Sequence, residues 1–158
     1  MIHKIWANDK RFKSVEFSEG LNVILAERTL ESGYKDTRNG AGKTTLLNII
    51  HFCLGADLHR LSLPTNELQD WIFFFTLDLC GETLTASRAI AKSKIIKVET
   101  DISGLPIAPE EDSEGVLFYN NDDWKKLLGR CLFKIREEST AKYTPSFRSL
   151  VSYFARRG

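Results

Sequence analysis

The fold of this chain is decided by the stretch Thr37-Arg38-Asn39-Gly40-Ala41-Gly42-Lys43-Thr44-Thr45. It follows an apolar run typical of a strand, residues 21–25, and it leads into an apolar run typical of a helix, residues 46–54. Glycines allow backbone N–H groups to curl around phosphate oxygens, and the N-terminus of the following helix adds a partial positive charge. The sequence therefore predicts a strand, a phosphate-binding loop and a helix, in that order.

The end of this loop predicts which side chains contact a nucleotide. Lys43 is expected to reach the β- and γ-phosphates, and the Thr44 hydroxyl is expected to bind Mg²⁺. Thr37 replaces the first glycine of the G-x-x-x-x-G-K-S/T pattern, so the chain must enter the loop differently, because a β-branched residue tolerates positive φ poorly. The alternative is a glycine-rich turn before a core helix. The predicted nucleotide-binding residues are Arg38, Asn39, Gly40, Ala41, Gly42, Lys43, Thr44 and Thr45, with Thr44 as the metal ligand.

Length and charge indicate a single domain. The chain has 158 residues, which is enough to bury a core, and its formal net charge is +1. This near-neutral balance excludes a broad polybasic surface but leaves room for a local basic patch. The candidate patch is Lys10, Arg11 and Lys13, which either faces phosphate or DNA or belongs to a solvated turn.

The cysteines and the apolar runs give expectations about the cellular compartment. Cys53, Cys80 and Cys131 have no metal-type spacing, and their odd number argues against a disulfide framework, so we expect three buried free thiols. The sequence shows no signal peptide and no apolar run long enough to cross a membrane, so we expect a cytoplasmic location and no membrane partner. His51 has no second ligand at metal spacing and is expected to be a packed or half-exposed helix residue.

The first third of the chain surrounds the predicted loop. Residues 2–6 and 15–17 read as short strands. The polar insert 26–36 is longer than the usual connection between strand and phosphate loop, and we interpret it as a flexible flap beside the nucleotide. The helix that starts near Lys43 is expected to end at Gly55, because glycine is the usual residue just after a helix.

The middle of the chain alternates apolar and polar residues in a way typical of strands. Residues 71–79 and 83–90 predict a β-hairpin that turns at Cys80-Gly81-Glu82. A third strand is predicted over 94–102. No helix separates these strands, so we expect an antiparallel sub-sheet.

The last part of the chain is predicted to be helical. Asn120 or Asn121 is expected to cap an amphipathic helix, and Thr144 and Pro145 are expected to open a final one. The whole pattern predicts an α/β fold with a mixed core sheet around the phosphate-loop helix. One lobe is expected over residues 1–158, made of a phosphate-loop core at 1–60, an antiparallel sub-sheet at 70–103 and a helical part at 120–158.

Several stretches resemble the N-terminal half of an SMC-like, ABC-type ATPase head, namely residues 2–17, 20–24 and 39–47. The chain is similar, more closely, to a bacterial family of SMC-like components found in three-component systems with an implied role in phage defence. That closer resemblance is carried by the polar insert before the loop, by residues 48–55 and by residues 145–154.

The resemblance implies a partial head that binds ATP and Mg²⁺. In such heads the C-terminal half supplies the signature motif, the Walker B carboxylate and the catalytic glutamate, and none of these occurs in this sequence. The resemblance therefore implies that hydrolysis needs that missing half and a second copy of the chain, with DNA as a candidate partner. No catalytic residue is predicted here. The single glutamine, Gln69, precedes the antiparallel strands and is interpreted as a surface residue, and Ser149 or Ser152 is a candidate for a place near the Q-loop position.

Two other readings stay open at this point. Asp78-x-x-Gly81 matches a pattern of small GTPases, although no Asn-Lys-x-Asp stretch for reading guanine exists. The second reading is a nucleotide-binding assembly module that does not hydrolyse its ligand, which the absence of a Walker B carboxylate favours for this chain alone.

Overall fold

The described secondary structure comprises one sheet and three α-helices, seen in a computed structural model that describes residues 1–24, 42–100, 104–135 and 145–154. The strands are β1 (Ile2–Ala7), β2 (Val15–Glu16), β3 (Ile72–Leu79), β4 (Glu82–Ala89), β5 (Ile95–Val98), β6 (Glu110–Glu111) and β7 (Leu117–Asn120). The helices are α1 (Lys43–Cys53), α2 (Asn121–Phe133) and α3 (Phe147–Phe154), with a 3₁₀ turn at Leu58–Arg60.

The sheet has the strand order β2-β1-β3-β4-β5-β7-β6, and each neighbouring pair is antiparallel. Its centre is the predicted hairpin, in which β3 and β4 pair from Ile72 opposite Ala89 to Leu79 opposite Glu82. The turn consists of Cys80 and Gly81, which both have positive φ (52° and 93°), as a type I′ turn requires. The prediction of an antiparallel hairpin is thus confirmed, whereas β5 is shorter than the strand predicted over 94–102.

The prediction of a mixed core sheet is wrong for the residues that the structure describes. In particular, residues 21–24 form no strand, and the exposed fractions of Leu21, Val23 and Ile24 are 88%, 66% and 45%. Strand formation depends on neighbouring strands that complete the hydrogen-bond ladder and cover the side chains. Among the described residues no strand lies beside this segment, so its apolar pattern remains at the surface.

The helices cover one face of the sheet and form the core with it. Phe73, Phe75, Leu77 and Leu79 alternate along β3 and are all buried on that face. Phe52 of α1 makes an edge contact with Phe73, and Trp124 of α2 makes one with Phe75. The predicted burial of the helix after the loop against a sheet is therefore confirmed.

Capping residues mark where the helices begin and end. Asn120 caps α2, because its side chain accepts hydrogen bonds from the backbone N–H groups of Asp122 and Asp123. Gly55, with φ +82°, follows the end of α1 as predicted. The start of α3 differs from the prediction, since the helix begins at Phe147 and the Ser146 hydroxyl accepts from Ser149 N at 3.1 Å. Thr144 lies outside the described residues.

The expectation of three free thiols is wrong for two of the cysteines. Cys80 and Cys131 form a disulfide between the β3–β4 turn and the last turn of α2, with their Cα atoms 5.0 Å apart. Cys53 is free and buried, as expected. The two cysteines are 51 residues apart in the sequence, so their spacing did not predict the bond. Only the packing of α2 on the sheet brings them together.

Candidate nucleotide-binding site

The N-terminus of α1 is the part of the predicted phosphate loop that the structure describes. Gly42 is the N-cap and has φ +76°, a left-handed conformation that glycine adopts readily. A Cβ at Gly42 would have no atom of the described residues within 4 Å, so the described part of the chain leaves space beside this backbone. The first hydrogen bond of the helix runs from Leu46 N to Gly42 O, at 2.8 Å. This geometry leaves room for a ligand at the start of the helix.

The polar groups at this terminus suit an anion. The first N–H groups of an α-helix have no acceptor within the helix, and glycine has no side chain that could cap them. The first turn of α1 contains no acidic residue, and Lys43, Thr44 and Thr45 are exposed. An oxygen-rich anion would meet unpaired N–H groups, a lysine ammonium and two hydroxyls, which is the donor set that phosphate needs.

The structure tests the predicted site residues only in part. Gly42, Lys43, Thr44 and Thr45 lie together at the exposed start of α1. Arg38, Asn39, Gly40 and Ala41 lie outside the described residues, as does the insert 26–36. No cluster of three or more metal-binding side chains occurs in the part of the chain that the structure describes. The Thr44 hydroxyl fits one of the few protein ligands that Mg²⁺ takes when phosphate oxygens and water supply the others.

The opposite end of α1 is fixed by a buried arginine of β4. Arg88 is 2% exposed, and it donates from Nη1 to the carbonyls of Phe52 and Ala56 and from Nε and Nη2 to the carbonyl of Ser93. Its guanidinium also lies 4.2 Å from the centre of the Phe52 ring. Burial lowers the pKa of Arg88 to about 10, so the group stays charged at neutral pH. A cation at the C-terminus of a helix also complements the helix dipole.

Helix α2 supplies two more anchors to the same end of α1. Trp124 Nε1 donates to Cys53 O at 3.0 Å, and Asn121 Nδ2 donates to Gly55 O at 3.3 Å. The carbonyls that a helix leaves unpaired at its C-terminus thus have side-chain donors. The far end of α1 is held by the core while its start, with Lys43 and Thr44, stays exposed.

Helix α3 also contacts α1, through a histidine. His51 is 4% exposed, and its Nδ1 lies 3.3 Å from Arg148 Nη2. This confirms the expectation of a packed helix residue. Ser149 and Ser152 are exposed, and their hydroxyls donate to carbonyls of the same helical segment. Their proximity to a Q-loop position stays a prediction, whereas the exposure of Gln69 is as expected.

The candidate basic patch consists of Lys10, Arg11 and Lys13, which are all exposed, and Arg11 contacts Asp9 and Trp71. Arg11 forms an ion pair with Asp9, with Nη2 and Oδ2 2.7 Å apart, and its guanidinium lies 5.2 Å from the centre of the Trp71 ring. Lys10 and Lys13 are exposed. The structure therefore supports a solvated turn ordered by Arg11, and a role toward phosphate or DNA stays a prediction for the two lysines.

The small-GTPase reading is excluded by the position of Asp78. This carboxylate points to the sheet face opposite to α1, because it alternates with the buried Leu77 and Leu79. Thr83 Oγ1 donates to it at 2.9 Å, and His3 Nε2 lies 2.7 Å away; these hydrogen bonds, the one with His3 first, lower the pKa of Asp78. Gly81 belongs to a hairpin turn, and a strand follows it. Asp78 is thus a surface ion-pair partner.

Sequence reasoning missed the residues that anchor α1. The sequence did contain a signal for Arg88: this residue continues the alternation of Leu84 and Ala86, the side chains of the predicted strand that face the core. A charged residue at such a position is buried when the strand forms, and a buried charge requires partners. The alternating pattern could not predict those partners, because the carbonyls of Phe52 and Ala56 lie more than thirty residues away in the sequence.

Fold and site together define an α/β protein whose helix after the glycine-rich loop presents a lysine and a threonine at an exposed N-terminus. Residues 3–144 match the model of the AAA domain family, and the chain belongs to that family. Membership of this family supports nucleotide binding of the ATPase type with ATP and Mg²⁺. No curated protein and no solved structure matches the chain. In the described residues, no helix is both long and apolar enough to cross a membrane.

Proposed function

We propose that this chain is the ATP–Mg²⁺-binding N-terminal lobe of an SMC-like ATPase. The observation that carries the proposal is the exposed start of α1, where Gly42 in the left-handed conformation precedes Lys43 and Thr44. Family membership and the resemblance of the flanking stretches to SMC-like heads support the same function. In this proposal Lys43 neutralises charge on the β- and γ-phosphates, and Thr44 holds the metal.

Hydrolysis, in this proposal, requires groups that this sequence does not supply. Transfer of the γ-phosphoryl group needs a positioned water, a metal held on more than one side and stabilisation of the developing charge. Near the start of α1 the chain offers Lys43, Thr44 and backbone amides, and Asp78 lies on the wrong face of the sheet. The C-terminal half of the head and a second copy of the chain are the proposed sources of the remaining groups.

The exposed apolar segment 21–24 supports the proposal that the C-terminal half of the head packs beside it. Leu21, Val23 and Ile24 precede the phosphate loop, where a strand is expected, yet the described residues leave them uncovered. A strand contributed by the C-terminal half of the head would cover these side chains and complete the ladder. Without it this edge favours self-association of the isolated chain.

The resemblance to the bacterial SMC-like family supports a proposal about the biological setting. We propose that the complete protein acts in cytoplasmic DNA-related or phage-defence machinery, with DNA as a partner. The exposed cations Lys10 and Lys13 are candidates for contact with a phosphate backbone.

The experiment that tests the nucleotide site is calorimetric titration of the purified chain with Mg-ATP. Lys43→Ala should weaken binding at least tenfold, or about 1.4 kcal/mol, because it removes the main charge that faces the phosphates. Lys97→Ala is the matched control, since Lys97 is an exposed lysine of β5 on the face opposite to α1. Equal affinity of the parent and the Lys43 variant would contradict the assignment.

A non-hydrolysing binding module is the second candidate for the chain by itself. The described part of α1 offers phosphate-binding groups, and the sequence supplies no Walker B carboxylate or catalytic glutamate to act with them, which favours binding without turnover. Comparing ATP turnover of this chain with that of a longer chain carrying the C-terminal half distinguishes the two candidates.

A further inference from the structure

A disulfide at the surface joins two elements that are distant in the sequence. Cys80 lies in the β3–β4 turn and is exposed, and Cys131 lies in the last turn of α2 and is half-buried. Exposed disulfides can be attacked by thiolates from solution and are more labile than structural disulfides, which resist reduction. The location of Cys80 thus gives an external thiol access to this bond.

The residue type at position 80 is not explained by the turn. A type I′ turn places both central residues at positive φ and favours asparagine, aspartate or glycine there. Gly81 meets this requirement, but Cys80 adopts φ 52° although it carries a Cβ. The disulfide with Cys131, and not the geometry of the turn, accounts for a cysteine at position 80.

The third cysteine provides a contrast within the same chain. Cys53 is 1% exposed, and burial raises the pKa of its thiol to about 12. The thiolate is the reactive form of cysteine, so Cys53 is protected both by burial and by protonation. Thiol chemistry on the folded chain is therefore restricted to Cys80 and Cys131.

We propose that Cys80 and Cys131 form a reversible redox site that exchanges with thiol and dithiol reductants while the chain stays folded. A thiolate of the reductant attacks Cys80 Sγ, the Cys80–Cys131 bond breaks, and the Cys131 sulfur leaves as a thiolate and takes a proton from water. The second thiol of the reductant attacks the mixed disulfide, which releases Cys80 and the oxidised reductant. Glutathione disulfide reverses the reaction, taking up the two electrons and forming two glutathione thiols.

The bond connects the hairpin turn to the helix that anchors α1. The same helix α2 carries Trp124 and Asn121, which hold the carbonyls of Cys53 and Gly55. Its last turn also carries Phe133, which packs on Phe147 of α3 at a ring distance of 5.8 Å. Reduction removes the covalent link from this last turn and leaves those buried contacts in place. The redox site acts independently of nucleotide binding.

The test counts reactive thiols by native alkylation and mass spectrometry. The oxidised chain should take up no alkyl group, the chain reduced with dithiothreitol should take up two, and treatment with glutathione disulfide should return it to none. Alkylation in denaturant is the internal control, because it adds Cys53 to each count. Cys80→Ser is the matched variant, and it should take up one alkyl group with or without reductant.

Three results would overturn the inference. The first is reduction that succeeds only in denaturant, which would show that thiols do not reach the bond in the folded chain. The second is the loss of near-ultraviolet circular dichroism on reduction, which would show that the folded chain requires the bond. The third is two reactive thiols in the native chain after oxidation, which would show that the pair does not form a disulfide in solution.

Discussion

Replacing Arg88 with methionine should destabilise the chain by about 3 kcal/mol. Methionine keeps much of the apolar volume over the Phe52 ring but removes the donors to three carbonyls. Phe52 O keeps the hydrogen bond from Gly55 N, at 3.0 Å. The buried carbonyl of Ala56 and the partly buried carbonyl of Ser93 lose the guanidinium donor, and an unsatisfied buried carbonyl costs about 1–3 kcal/mol. Removing a buried charge offsets part of this loss, since its desolvation is itself unfavourable.

Urea unfolding followed by tryptophan fluorescence measures this change, because α2 carries the fully buried Trp124. Arg60→Met is the matched control. Arg60 is 75% exposed and its Nε lies 3.8 Å from Asp57 Oδ2, so its loss should cost less than about 1 kcal/mol. Equal effects of the two substitutions, or a loss below about 1 kcal/mol at Arg88, would refute the argument that this side chain anchors the end of α1.

Two further predictions concern catalysis and pH. The purified chain should bind Mg-ATP but show negligible ATP turnover. A longer chain that includes the C-terminal half of the head should hydrolyse ATP. Robust turnover by the short chain, abolished by Lys43→Ala, would mean that the short chain already contains a complete active site. Asp78→Asn should lower the free energy of unfolding near pH 7, because the pKa of Asp78 is lowered in the folded chain. That contribution is present above about pH 4 and is lost as the pH falls through the lowered pKa, so urea midpoints of parent and variant should converge in acid. Midpoints that differ equally at pH 7 and in strong acid would show that the ion pair is not the cause.

Local patterns predicted the elements whose stability depends on nearby residues. The alternation of Phe73, Phe75, Leu77 and Leu79 predicted β3, and the short turn after it predicted the hairpin. Asn120 was one of two candidates for the cap of α2, and the structure selects it. In each case the information lies within a few residues, where periodicity and capping act directly.

Predictions failed where an element depends on partners far away in the sequence. Residues 21–24 have a strand-like pattern, but a strand needs neighbours that the described part of the chain does not place beside it. Cysteine number and spacing predicted free thiols, and they carry no information about whether Cys80 and Cys131 approach each other.

The candidate site shows the same division. The sequence by itself determined that Gly42, Lys43 and Thr44 stand at the start of a helix, because loop, charge and helix follow one another along the chain. Only the tertiary structure decided that Arg88, Trp124 and Asn121 hold the other end of that helix. The physical reason is that unpaired carbonyls accept hydrogen bonds from whichever donors the fold brings within reach, and β4 and α2 come into reach only when the sheet and the helices pack together.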